Sequence, residues 1–296
     1  MRDVVRALLH CPHCGAPFLP GPGPRLQCPA GHSFDAAKQG YYNFLTGKGT
    51  AFTADSAAMA ASRAAFLESG HYAPLAEALT GMVRDGMAST APSRDGGLPV
   101  VVDAGAGTGY YLHQVVARLS PQDPGSSAPA AVAFDISKFA LRRAARLNPD
   151  AAVFVWDVWR PLPLADGSAD ALLVVFAPRN PAEFRRVLRP GGVAVVVTPL
   201  PTHLREIADV AGLLDIEEGK TERLDAGMGE DFELVERRTL EFGLSLTPVD
   251  VAAVALMGPA GHHLDPVELT RRTETLGDLT PVTAAFTLSA YRPRRA

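Results

Sequence analysis

The chain has 296 residues, 47% hydrophobic and 20% charged, which excludes a disordered or fibrous protein and predicts about two folded units. Its formal charge of −4, averaged over the whole chain, argues against a nucleic-acid partner. The cysteines number three (Cys11, Cys14 and Cys28) and cluster near the start, which suits a metal better than a disulfide framework.

Residues 1–45 are rich in Pro, Gly and Cys and predict a small separate module. Cys11, Cys14, Cys28 and His32 form the pattern C-x2-C-x13-C-x3-H. Two thiolates two residues apart can grip one ion from a tight turn, and the second pair closes a tetrahedral site with no open position, so one structural zinc ion is expected. His10 and His13 lie nearby, but His32 fits the pairing better. Arg2, Arg6, Arg25, Lys38 and Lys48 face only Asp3 and Asp35 in the first 50 residues, so this part of the chain is positive even with three thiolates bound to zinc.

Residues 46–97 predict a Gly/Thr-rich link and two helices, over 55–69 and 72–87, followed by loop. From residue 98 to 296 the pattern is regular. Short apolar runs at 99–103, 131–135, 153–157, 171–176 and 193–198 are separated by helical stretches such as 138–147 and 181–188. Apolar runs alternating with helices predict βαβ units and a parallel sheet. Two longer alternating strands, near 238–246 and 283–292, are expected to close it. No run reaches the roughly 18 apolar residues of a membrane span, and Arg6 interrupts the only apolar stretch at the start, so neither a membrane segment nor a signal peptide is expected. A chain whose thiols serve a metal is expected in the reducing cytoplasm.

The strongest functional signal is Asp103-Ala-Gly105-Ala-Gly107-Thr-Gly109, where a strand ends on an acid and passes through glycines into a helix. Glycines let a ligand approach the backbone closely. The spacing departs from G-x-G-x-x-G, and no Lys-Ser/Thr pair follows, which weakens a dinucleotide site and excludes a P-loop. Asp135 and Asp157 end the next two strands, where a carboxylate can reach ribose hydroxyls and an adenine amino group, or merely cap a turn. Asn180-Pro181 is expected to cap the following helix with Glu183, rather than to act in catalysis.

The glycine loop resembles the S-adenosylmethionine (AdoMet) site of class I methyltransferases. The wider set of motifs resembles the bacterial 23S rRNA (guanine-N1)-methyltransferase family, nearest its actinobacterial tylosin-resistance branch. That set comprises the Cys/His knuckle, the run from Ser33 to Leu45, Arg63-Ala-Ala-Phe66-Leu, Gly70-His71-Tyr72, Phe176-Ala-Pro178 and Thr198-Pro-Leu-Pro-Thr-His203. The resemblance implies an α/β fold: a class I AdoMet-dependent (Rossmann-like) core behind a small N-terminal zinc-binding domain. It also implies methylation of guanine N1 in a 23S rRNA hairpin loop, a link to macrolide resistance, and a homodimer. By the same resemblance Tyr72, Tyr111, Leu112 and His203 touch AdoMet beside Asp103, Gly105, Gly107, Gly109, Asp135 and Asp157.

On this reading Arg2, Arg6, Arg25, Lys38 and Lys48 meet RNA phosphates. Tyr41, with Tyr42 or Phe44, either stacks on bases or packs the knuckle onto the core. No general base is identified; a carboxylate or a backbone carbonyl near 177–179 would serve. The competing reading is an AdoMet-dependent methyltransferase of a small molecule in which zinc only braces the fold.

Overall fold

The structure is a computed structural model describing residues 3–47, 49–88, 97–121, 127–216 and 219–294. It begins with a single helical turn, α1 (Asp3–Arg6), and an antiparallel pair, β1 (Leu26–Gln27) and β2 (Ser33–Phe34). A short third strand, β3 (Tyr42–Asn43), leads to helices α2 (Ala57–Glu68) and α3 (Ala73–Ala88). Ser56 starts α2 by accepting the Met59 N–H at 3.2 Å.

The alternating part follows as β4 (Val100–Ala104), α4 (Tyr110–Leu119), β5 (Ala130–Asp135), α5 (Lys138–Leu147) and β6 (Ala152–Val155). Next come β7 (Ala169–Val175), α6 (Pro181–Val187), β8 (Leu188–Pro199), α7 (Ala208–Ala211), α8 (Lys220–Met228) and β9 (Phe232–Leu246). The chain finishes with α9 (Pro248–Met257), α10 (Pro266–Thr273) and β10 (Thr280–Pro293). The sheet order is β3-β6-β5-β4-β7-β8-β10-β9. Strands from β3 to β8 are parallel, and β10 and β9 pair antiparallel at the far edge. This is the Rossmann-like core of class I methyltransferases. Every residue of β4, β6 and β7 is buried, as a sheet covered on both faces requires.

One face carries α3, α4, α5 and α9 over Val101, Ala133, Val153 and Leu173. The other carries α6 and α8 over Leu172 and Val174, and the zinc-ligand module over Val102, Phe134 and Phe154. Between β6 and β7 the chain forms no helix. The module covers that gap, with Phe44 stacked on Phe154 (centroids 5.0 Å apart, planes at 28°). Its last strand, β3, pairs Tyr42 with Phe154 and Asn43 with Val155, so residues expected inside a separate module are an edge of the main sheet.

Asn180 caps α6, accepting from the Glu183 N–H and donating from Nδ2 to Val158 O at 2.9 Å. The expected return bond from Glu183 does not form, because its carboxylate accepts from Leu162 N–H and from Arg186. Among the described residues no helix is long and apolar enough to cross a membrane.

Candidate functional site

Cys11, Cys14, Cys28 and His32 place one ligand atom each within 4.8 Å of one another. Cys14 Sγ lies 3.7 Å from Cys28 Sγ, and His32 Nδ1 lies 3.6 and 3.4 Å from Cys11 and Cys28 Sγ. A tetrahedron with Zn–S bonds of about 2.3 Å has edges of about 3.8 Å, so the four atoms fit zinc closely. Neither neighbouring histidine belongs to this cluster, and the His13 ring stacks on Phe34. Burial raises the Cys11 thiol. Burial pushes the Cys28 thiol up too, but hydrogen bonds from Cys14, the His32 and Ala30 backbone and Cys11 outweigh it and bring it down to about 7.

The second candidate site lies where the strand order reverses, at the C-terminal ends of β4 and β7. The three glycines there answer three different demands. Gly105 (φ 74°) faces Ala177 so closely that an added Cβ would lie 2.4 Å from the Ala177 Cβ. Gly107 lies under the Arg63 guanidinium, and Gly109 faces Ala144 and Asn148 of α5, to which its carbonyl is bonded. Gly109 therefore serves helix packing and the turn into α4. Gly105→Ala combines a left-handed backbone with a clash. We expect it to cost about 2–3 kcal/mol of stability, read as a lower denaturant midpoint; an unchanged midpoint would show that the two loops separate freely.

Asp135 ends β5 with one carboxylate oxygen accepting from Gly107 N–H (2.9 Å) and the other from Ser137 N–H (2.7 Å). Burial raises its carboxyl, opposed by those two N–H groups and by Arg63. Arg63 itself pairs with Asp55 and donates to Met257 O, and Ser137 Oγ donates to Asp55 O, so α2 and α9 are tied over the glycine loop. Asp157 is held at the edge of the site by Thr50 Oγ1 (2.7 Å) and Trp159 N–H (3.1 Å).

Tyr72, Tyr111 and His203 come together although far apart in sequence. Tyr72 Oη is 3.1 Å from His203 Nε2, and the Ala285 N–H donates to His203 Nδ1 at 3.1 Å. That donor leaves Nδ1 without a proton, so Nε2–H donates to Tyr72. Burial brings His203 down to about 4, keeping it neutral. The buried Tyr111 hydroxyl has no hydrogen-bond partner among the described residues. Leu112 turns its side chain into the core, so a ligand can meet only its backbone, whose N–H supports Asp103.

Asp103 is fully buried. Burial, helped by the Asp135 charge, pushes its carboxyl up to about 8. A buried acid whose ionised form has no cationic partner among the described residues, beside an orphaned tyrosine hydroxyl, is complementary to a ligand carrying an ammonium group and polar acceptors. The methionine end of AdoMet has both.

The expected RNA contacts fare unevenly. Arg6 is buried, its guanidinium donating to Gly21 O and Gly23 O to hold the module's loop, so it is spent on structure rather than on phosphates. Tyr42 and Phe44 are buried between module and core, and Tyr41 is buried in the cluster on the opposite sheet face, so of the two roles left open for these rings packing is the one the structure fits. Arg25 is exposed but paired with Asp35 at 2.7 Å. Lys38 is exposed beside a cleft of about 860 Å³ that includes none of the cofactor-site residues above. Arg2 and Lys48 lie outside the described residues. The aromatic rings that do stand open are Phe52, Trp159 and Phe176, all on the segments leading to or leaving the cofactor edge. No periodicity marks them, since each sits in a loop.

Residues 9–47 match the zinc-ribbon family described as RlmA, N-terminal. Over 293 residues the chain is 44% identical to the 23S rRNA (guanine(748)-N(1))-methyltransferase of Streptomyces fradiae, covering 99% of each protein. It is 45% identical to a protein of Micromonospora griseorubida described as a 23S rRNA (guanine-N(1)-)-methyltransferase, covering 96% of this chain and 97% of that one. YxjB of Bacillus subtilis, given the same description, is 29% identical over 70% of this chain and 69% of its own.

Proposed function

Since the chain belongs to the 23S rRNA (guanine-N1)-methyltransferase family, we propose that it transfers the methyl group of AdoMet to N1 of a guanine in a 23S rRNA hairpin loop. The observation that carries this reading is a near-full-length match in a chain that keeps both a Cys3His site and a buried acid–tyrosine pocket at the switch point of its sheet. Guanine 748, named for the S. fradiae relative, is the position we propose.

When bound, AdoMet supplies a methyl group activated by its sulfonium. Asp103 would hold its ammonium, Tyr72, Tyr111 and His203 its methionine end, Asp135 its ribose and Asp157 its adenine. Guanine N1 lies on the Watson–Crick edge, closed in a duplex and open in a loop, so the base must be turned out to reach the site. Holding N1 in line with the methyl group removes most of the orientational cost of the reaction. The N1 proton must leave before or during attack. We propose that the protein works in the cytoplasm and as a homodimer; light scattering at micromolar concentration tests the second point.

N1 methylation blocks base pairing. Incubation of a transcribed loop hairpin with protein and AdoMet should therefore give a reverse-transcriptase stop at one loop guanine. Intact AdoMet binding with no stop at any loop guanine would sink the RNA reading in favour of a small-molecule substrate.

The Asp103 carboxyl also gives a pH dependence. With its pKa near 8 it carries a proton at pH 7, and a ligand ammonium beside it would displace that proton. AdoMet affinity should fall as pH drops below about 8, and binding at pH 7 should release about one proton. Calorimetry in two buffers of different ionisation enthalpy measures this, and an absence of release at pH 7 contradicts the assignment.

A further inference from the structure

Phe176 adopts a backbone conformation that its side chain disfavours. Its φ of 56° lies in the left-handed region, shared among non-glycine described residues only with Leu204. The strain is local. The Phe176 N–H still belongs to the sheet, donating to Val197 O at 3.2 Å, and the next residue, Ala177, is already closed against Gly105.

The ring stands over a buried aromatic cluster. It lies 6.4 Å from Tyr111 and 5.6 Å from Phe286, and Phe286 in turn touches Tyr72 and His203. Tyr72, Tyr111 and Phe286 are buried, whereas Phe176 is 45% exposed. One side of the ring is therefore anchored on Tyr111, proposed to hold the methyl donor, and on Phe286, and the rest is exposed. Packing alone accounts poorly for this, since a ring needed only to fill the core gains nothing from a strained backbone that leaves it half outside.

We infer that Phe176 is the platform on which the target guanine stacks once it is turned out of the RNA loop, an inference that rests on the function proposed above. A flipped base loses its stacking neighbours, and an aromatic face restores that contact without reading sequence. Stacking also fixes the plane of the purine, and so the direction in which N1 points. The exposed ring sits on the loop that leaves β7, across from the glycine loop, which is where that plane must be set.

Phe176→Gly removes the ring and relaxes the backbone at once, and melting and AdoMet binding measured on the same variant separate loss of stacking from misfolding. We expect it to melt within a few degrees of the parent, the relieved strain offsetting the lost ring contacts, and to bind AdoMet within about twofold of it, while methylating the hairpin about 10- to 100-fold more slowly. Phe176→Tyr, which keeps the ring, should recover most of the rate. In the same hairpin, 2-aminopurine placed at the guanine where the parent protein produces its stop should be quenched on binding to the parent and not to Phe176→Gly. A parental rate in Phe176→Gly overturns the inference, as does a fall in AdoMet affinity as large as the fall in rate, or equal quenching by both proteins. A parent protein that gives no stop overturns the proposed function instead, so the two failures are distinct.

Discussion

Replacing Asp135 by alanine should weaken AdoMet binding by at least about 100-fold, given about 1.5–3 kcal/mol for each hydrogen bond to a charged group. The carboxylate stands between two jobs. It holds the Gly107 and Ser137 N–H groups, which shape the glycine loop and start α5, and it faces the place proposed for the ribose hydroxyls. Alanine leaves two buried N–H donors without partners and removes the ribose contact, so loop and ligand are lost together. Asp135→Asn keeps one oxygen acceptor but turns an N–H2 toward the other donor, and its loss should be nearer tenfold. Calorimetric titration of both variants orders the effects. An alanine variant that binds AdoMet within threefold of the parent would remove Asp135 from the site.

The second large effect is expected from Cys28→Ser. Structural zinc sites contribute on the order of 10 kcal/mol to folding, and a module of some 40 residues has little else to hold it. Here the consequence spreads beyond the module, because Phe18, Phe34 and Phe44 form one aromatic stack with Phe154 of the sheet. Loss of the metal should uncover that face, lower the melting temperature and abolish RNA methylation. AdoMet affinity should fall only a few-fold, through the loosened Thr50–Asp157 contact. Metal content, thermal melting, primer extension and calorimetry on one preparation test this. Stoichiometric zinc with full activity would exclude Cys28 as a ligand, and equal loss of RNA and AdoMet binding would show that the module and the cofactor site unfold as one.

Much of the core was legible because its signals are local. Apolar runs ending on Asp103 and Asp135 mark β4 and β5, and Asn180 marks the start of α6. The sheet's far edge was read too short, β9 running over Phe232–Leu246 against an expected 238–246, because half-buried antiparallel strands fade gradually into polar residues. The return arm expected from Glu183 to Asn180 was wrong for a tertiary reason: Leu162 and Arg186 compete for the same carboxylate. Net charge was a poor guide. It averages a positive first 50 residues with an acidic remainder, and it could not show that Arg6 is buried in its own loop.

By itself the sequence determined the metal chemistry and located a ligand loop, since four ligands within 22 residues and a glycine loop after an acidic strand end are constraints of short-range geometry, and the cofactor class followed from the resemblance of that loop. Only the tertiary structure decided which aromatic rings are available. Tyr41, Tyr42 and Phe44 could stack or pack as far as the sequence goes, yet Tyr42 and Phe44 are consumed in covering a sheet face that lacks a helix between β6 and β7, and Tyr41 is buried on the opposite face. Phe176 looks like the end of a strand, yet a left-handed backbone holds it half exposed beside the glycine loop's partner Ala177. Exposure depends on what the rest of the chain places against a residue, and that cannot be read from the residue's own neighbours in sequence.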